Sequence, residues 1–81
     1  MARVSGQQDH EGQLAQLGEV IRQRRHKLGL SQEALADASG IDRSHMGKIE
    51  RGERNVTFLN LLRISLALGC RASDLFREAG L

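Results

Sequence analysis

The 81-residue sequence has no proline, tryptophan or tyrosine, and it carries only two phenylalanines and one cysteine. A single thiol, Cys70, excludes an internal disulfide and supplies no metal-ligand cluster, which suits a reducing compartment. The N-terminus lacks the apolar core of a secretion signal, and no apolar run approaches membrane-spanning length. The expectation is therefore a cytoplasmic protein without a membrane partner. Strand-like alternation is missing, whereas helical periods run through most of the chain, so the class is all-α. His10, His26 and His45 fall on three separate segments, no Ser/His/Asp or Cys/His pairing is suggested, and no glycine-rich phosphate loop occurs. These residues offer no enzyme centre and require no cofactor.

Eighty-one residues suffice for one domain with a modest core but not for a second, ligand-binding domain, so no small-molecule effector is expected. The formal net charge is only +2. That total conceals a local bias, because positions 22–27 are almost all basic.

The most organised stretch, Leu30 to Gly52, reads LSQEALADASGIDRSHMGKIERG and divides into two short helices around a turn. Ser31 can accept the unpaired N–H groups of a helix beginning at Gln32, and Asp42 those of a helix beginning at Arg43. Apolar residues ahead of each cap supply hydrophobic staples, Leu30 with Leu35 and Ile41 with Met46. Gly40 stands where the first helix stops and the backbone turns, a place that favours positive φ. Ala36 is small and lies inward beside Leu35, so the second helix can cross closely, with Met46 and Ile49 filling the crossing. The stretch is a helix-turn-helix.

At about 100° per residue, Met46, Ile49 and Glu50 share the inward side of the second helix, while Ser44, Lys48 and Arg51 form an outward stripe. That stripe is polar and basic, as a helix entering the major groove of double-stranded DNA requires. Ser44 and Lys48, joined by Arg43 from the first turn, are candidate base contacts, and Arg51 is better placed for phosphate. Gly47 costs about 1 kcal/mol against alanine in a helix interior. Two readings stand for it: close approach to the groove, or a tolerated surface glycine.

The longer run LSQEALADASGIDRSHMGKIERGERNVTFLNLLRISLALGCRASDLF resembles the λ-repressor/Cro-type (XRE) helix-turn-helix domain of small bacterial and phage transcription regulators. The resemblance covers Leu17 to Phe76 and rests on the LSQEALA start, the SGI turn, the KIERGER exit and the LLRISLALGC helix closing in SDLF. In size the chain is similar to restriction-modification controller proteins. The resemblance implies a compact five-helix λ-repressor-like fold and a homodimeric DNA-binding regulator. It also implies an ion pair between Arg25 and Glu50, and phosphate binding by Gln32 with the helix N-terminus assisting. A protein-interaction module that kept this fold without an operator is the alternative.

Residues 1–12 are polar and read as a mobile tail, with a DNA-reaching arm on Arg3 as the competing reading; residues 13–81 form the DNA-binding and dimerisation domain. From Gln13 to about Leu28, the residues Leu14, Leu17, Ile21 and Leu28 recur on one side, with Val20 widening the stripe. The last turns of this helix hold Arg22, Arg24, Arg25, His26 and Lys27, which suit the helix dipole and also a flanking phosphate. Beyond Gly52, Arg54 and Asn55 lie on a turn-rich connector and are phosphate candidates.

Val56, Thr57 and Leu61 repeat the staple-and-cap arrangement and start a fourth helix that stops at Gly69. Phe58, Leu61, Leu62, Ser65 and Leu68 can face the core of this helix. Leu59 and Leu66 form an adjacent apolar stripe with Leu62, and in the resembled family the positions of Leu59 and Leu66 are more often polar. The economical cover is a second copy, so Leu59, Leu62 and Leu66, with Phe76 on the last helix, form the expected dimer interface; cover of Leu59 and Leu66 by that last helix or by the tail is the competing reading. The fifth helix runs from about Ala72 to Glu78. Arg71 stands where the family usually has a serine cap, so Ser73 is the substitute. Cys70 aligns with a usually aliphatic position and reads as a small buried hydrophobe, with redox sensing as the lesser reading.

Overall fold

A computed structural model of the chain describes residue 9 and residues 11–81. The reading of a DNA-reaching arm on Arg3 lies outside the described residues. Five helices follow in order: α1 (Gln13–Lys27), α2 (Gln32–Ser39), α3 (Arg43–Glu50), α4 (Phe58–Ala67) and α5 (Ala72–Glu78). The described residues contain no strand. The all-α, five-helix architecture expected from the periodicity and the family resemblance is the one observed.

Side-chain caps set three of the helix starts. The Ser31 hydroxyl accepts from the backbone N–H of Ala34 (3.0 Å), the Asp42 carboxylate from that of His45 (3.2 Å), and the Thr57 hydroxyl from that of Asn60 (3.2 Å). Each cap satisfies one of the N–H groups that a helix start leaves without an intrahelical partner. Helix α5 departs from the expected cap: its N-cap residue is Arg71, whose backbone N–H donates to the Asp74 carboxylate (2.9 Å), and Ser73 is exposed inside the helix. An acidic side chain in the first turn takes over the work that a hydroxyl does elsewhere.

One residue of the expected tail is tied to α1. Asp9, placed by its polar surroundings in a mobile segment, caps α1 through both carboxylate oxygens, accepting from the N–H groups of Gln13 (3.0 Å) and Leu14 (2.6 Å). Asp9 is thus held at the first turn of α1, and the rest of the tail reading, at residues 1–8 and 10, lies outside the described residues.

The core gathers Leu17, Val20 and Ile21 of α1, Leu35 and Ala36 of α2, Ile41, Met46 and Ile49, then Leu61, Ile64, Leu68 and Leu75. Helix α1 packs on α3 and α5, and α2 on α3 and α4. Three expected core positions, Leu28, Phe58 and Leu62, are exposed instead. Leu28 closes α1 as its C-cap and is exposed, because the chain turns at Gly29 before that side chain reaches the interior. Phe58, the first residue of α4, is 71% exposed, and Ile64, which the wheel did not select, is fully buried in its place.

Candidate nucleic-acid interface

Helix α3 is held by its inner face. Met46 and Ile49 are buried, and Glu50, a charge on the same face, is buried beside them. A buried carboxylate requires a partner and full hydrogen bonding. Arg25 supplies both: its Nε donates to Glu50 Oε2 (2.8 Å) and its Nη2 to Oε1 (3.0 Å), a two-pronged pair, while Nη1 donates to the carbonyl of Leu30 (3.0 Å). The Gln32 amide donates to Glu50 Oε1 as well (3.2 Å). One carboxylate thus gathers α1, the start of α2 and the end of α3.

Two glycines that sequence reasoning passed over bring these elements together. Gly18 is buried in α1, and a Cβ built there would lie 2.6 Å from the carbonyl oxygen of Ile49 and closer still to that of Glu50. Gly52, at φ +74°, ends α3 in the left-handed region, and a Cβ there would lie 2.6 Å from the backbone of Ala15. The signal in the sequence was weak but present: Gly18 interrupts α1 beside Leu17, on the side that Ile21 and Val20 place inward.

Opposite this anchored face, Arg43, Ser44 and Arg51 are exposed and Lys48 is half-buried. Gln32, Arg43, Ser44, Gly47 and Arg51 line a shallow recess between the start of α2 and α3. Gly47 is buried, not a surface glycine, because the ends of Gln32 and Arg51 lie over it; a Cβ there would sit 3.1 Å from Gln32 Oε1 and 3.1 Å from Arg51 Nη1. Arg51 pairs with Glu53, donating from Nε to Oε2 (2.7 Å), and this contact holds the Glu53 carboxyl below its usual range. Glu53 was not foreseen, since a partner two residues on along an irregular connector follows no helical period. Arg54 and Asn55 are exposed on that connector. His45 is half-buried in the first turn of α3.

The basic end of α1 is largely engaged within the molecule. Arg22 pairs with Glu19 of its own helix, Arg24 with Glu78 of α5, and Arg25 with Glu50. Of these arginines only Arg25 is buried in its pair, which gives it a structural role; Arg22, His26 and Lys27 are exposed. Cys70 packs against the core, and burial pushes its thiol up, away from the reactive thiolate.

Leu59, Leu62, Leu66 and Phe76 are all exposed, Leu66 at 82%. Neither α5 nor any other described residue covers Leu59 and Leu66, so burial under α5 is set aside; cover by the tail lies outside the described residues. Among the described residues, no group of three or more His, Cys, Asp and Glu side chains could hold a metal ion, and no helix is long and apolar enough to cross a membrane.

A helix-turn-helix family model matches residues 21–75, which span α2 and α3 with the packing around them. The chain belongs to the helix-turn-helix family of DNA-binding transcription regulators. This regulator is 42% identical over 65 residues to control protein C.SmaI of Serratia marcescens, covering 80% of the chain and 77% of the relative. It is 44% identical over 59 residues to control protein C.BamHI of Bacillus amyloliquefaciens, covering 72% and 73%. Its fold is similar to the crystal structure of the restriction-modification controller protein C.AhdI from Aeromonas hydrophila, with a TM-score of 0.77, 46% identity, and coverage of 78% of this chain and 96% of that one.

Proposed function

We propose that this regulator is a restriction-modification controller that binds a roughly palindromic operator as a cytoplasmic homodimer. The observation that carries the reading is the division of α3, whose inner face is locked onto α1 and α2 while Arg43, Ser44 and Lys48 stand on the other side. In this reading those three side chains meet base edges in the major groove, and Gln32, Arg51, Arg54 and Asn55 meet phosphates on either side. The controller assignment is supported by the likeness to C.AhdI, C.SmaI and C.BamHI over most of their lengths. The dimer is supported by the uncovered leucines of α4. Two α3 helices related by a two-fold axis would enter successive major grooves about 34 Å apart.

Selection from a random-sequence duplex pool tests the reading. The expected product is one enriched sequence with two inverted half-sites, their centres about one helical turn apart. Lys48→Ala is expected to abolish that enrichment while leaving the fold intact. Enrichment of a single, unrepeated half-site would overturn the dimer, and no enrichment at all would favour a protein-interaction module.

A further inference from the structure

We infer that Gly47 and Glu53, neither of which is itself suited to hold DNA, set the position of the Arg51 guanidinium for one backbone phosphate. The inference rests on the reading of this face as the DNA surface and adds two positioning residues to it. Glu53 engages Arg51 from the side, through Nε (2.7 Å) and more distantly Nη2 (3.5 Å). That leaves the Nη1 edge free of this pairing, and Nη1 is the atom that lies over Gly47. Arg43 and Ser44 bring donors to the same recess, while Gln32, whose amide nitrogen donates to Glu50, shows its carbonyl oxygen at the floor. A planar guanidinium fixed along one edge presents its other edge in a set direction, which is the geometry a phosphate oxygen pair accepts best.

Gly47 contributes by having no side chain. A methyl group there would sit 3.1 Å from both Gln32 Oε1 and Arg51 Nη1. Neither neighbour is loose, because Gln32 is tied to the buried Glu50 carboxylate (3.2 Å) and Arg51 to Glu53. A methyl therefore makes one of these tethered ends give by a few tenths of an ångström, and the exposed Arg51 gives first, turning its Nη1 edge away from the recess. The helix would otherwise gain from alanine, so the glycine stands here against local propensity.

Glu53 has an opposite possible effect: a carboxylate beside a phosphate site repels DNA. The experiment separates the two. Affinity for the duplex selected by the wild-type chain is measured by fluorescence anisotropy across a salt series for wild type, Gly47→Ala, Glu53→Gln and Glu53→Ala, with thermal unfolding alongside. A lost phosphate contact lowers the slope of log K against log salt by about 0.9 per bound chain. Gly47→Ala is expected to lose that slope and about tenfold in affinity with an unchanged or higher melting temperature. Glu53→Ala should lose the slope too, and Glu53→Gln, which keeps an acceptor for Arg51, should retain most of it. Wild-type slope in Gly47→Ala, or tighter binding by both Glu53 variants, overturns the inference while leaving DNA binding standing. Failure of the wild-type chain to bind any duplex overturns both.

Discussion

Gly18 of α1 lies directly against the backbone of Glu50 at the end of α3, so that a methyl group on Gly18 would enter the space of the Glu50 carbonyl. The neighbour here is backbone, which cannot swing aside. Gly18→Ala gains about 1 kcal/mol of helix propensity and is nevertheless expected to lower stability by about 1–3 kcal/mol through overpacking. Urea unfolding followed by circular dichroism checks this. A variant as stable as wild type would mean that α1 and α3 are not in contact at this point.

The same crossing is tied by charge. Removing Glu50 leaves the Arg25 guanidinium buried with only the Leu30 carbonyl, so Glu50→Ala should cost about 3 kcal/mol. Replacing both members with apolar side chains should cost much less, since the main penalty comes from one unpaired buried charge. A double-mutant cycle measures the difference; equal losses in the single and double variants would remove the pair as the source.

Asp9 caps α1 with both oxygens. Asp9→Ala is expected to destabilise the fold by about 1 kcal/mol, in line with other caps. A mobile tail residue would leave the unfolding midpoint unmoved, and that result would return residue 9 to the tail.

Leu66 is 82% exposed in the single chain. A charge there removes nothing from the core, so Leu66→Asp should keep its helical circular dichroism. In sedimentation equilibrium the unaltered chain is expected to form the proposed dimer, and the variant to stay monomeric at the same concentration. A variant dimer as strong as the original would move the interface away from α4.

Acid should loosen the fold in a defined window. Asp74 is held below the usual carboxylate range, first by the Arg71 backbone N–H and then by Arg77; Glu78 is held low by Arg24. A carboxyl whose folded pKa lies below its unfolded value stabilises fully above the ordinary range near 4, and the contribution disappears as pH falls through the depressed folded value. The unfolding midpoint should therefore be flat from neutrality to about pH 5 and fall below about pH 4. Asp74→Asn should make that fall shallower, and an identical fall would exclude Asp74 as a source.

Much of this arrangement was legible because it is written in local chemistry. Ser31, Asp42 and Thr57 announce helix starts through hydroxyl and carboxylate caps, and Glu50 declares itself as an inward charge, with Arg25 as the partner that the family resemblance implies. Helix α4 was harder. Its sequence FLNLLRISLA is apolar around most of its circumference, so the helical period selects no single inner face; Phe58 was placed inside and Ile64 was overlooked. Long-range backbone contact was equally hidden. Nothing near Gly18 in the chain announces the end of α3, thirty-odd positions away, and the bend that brings Glu53 back to Arg51 depends on tertiary packing rather than on a repeat.

The single carboxylate shared by Arg25 and Gln32 has a consequence for the mechanics of α3. Because three helices converge on Glu50, α3 has no hinge of its own, and tilting it would break the contacts to α1 and to the start of α2 together. Exchanging Arg43, Ser44 or Lys48, which take no part in that junction, therefore alters the outward chemistry of the helix without altering its attitude.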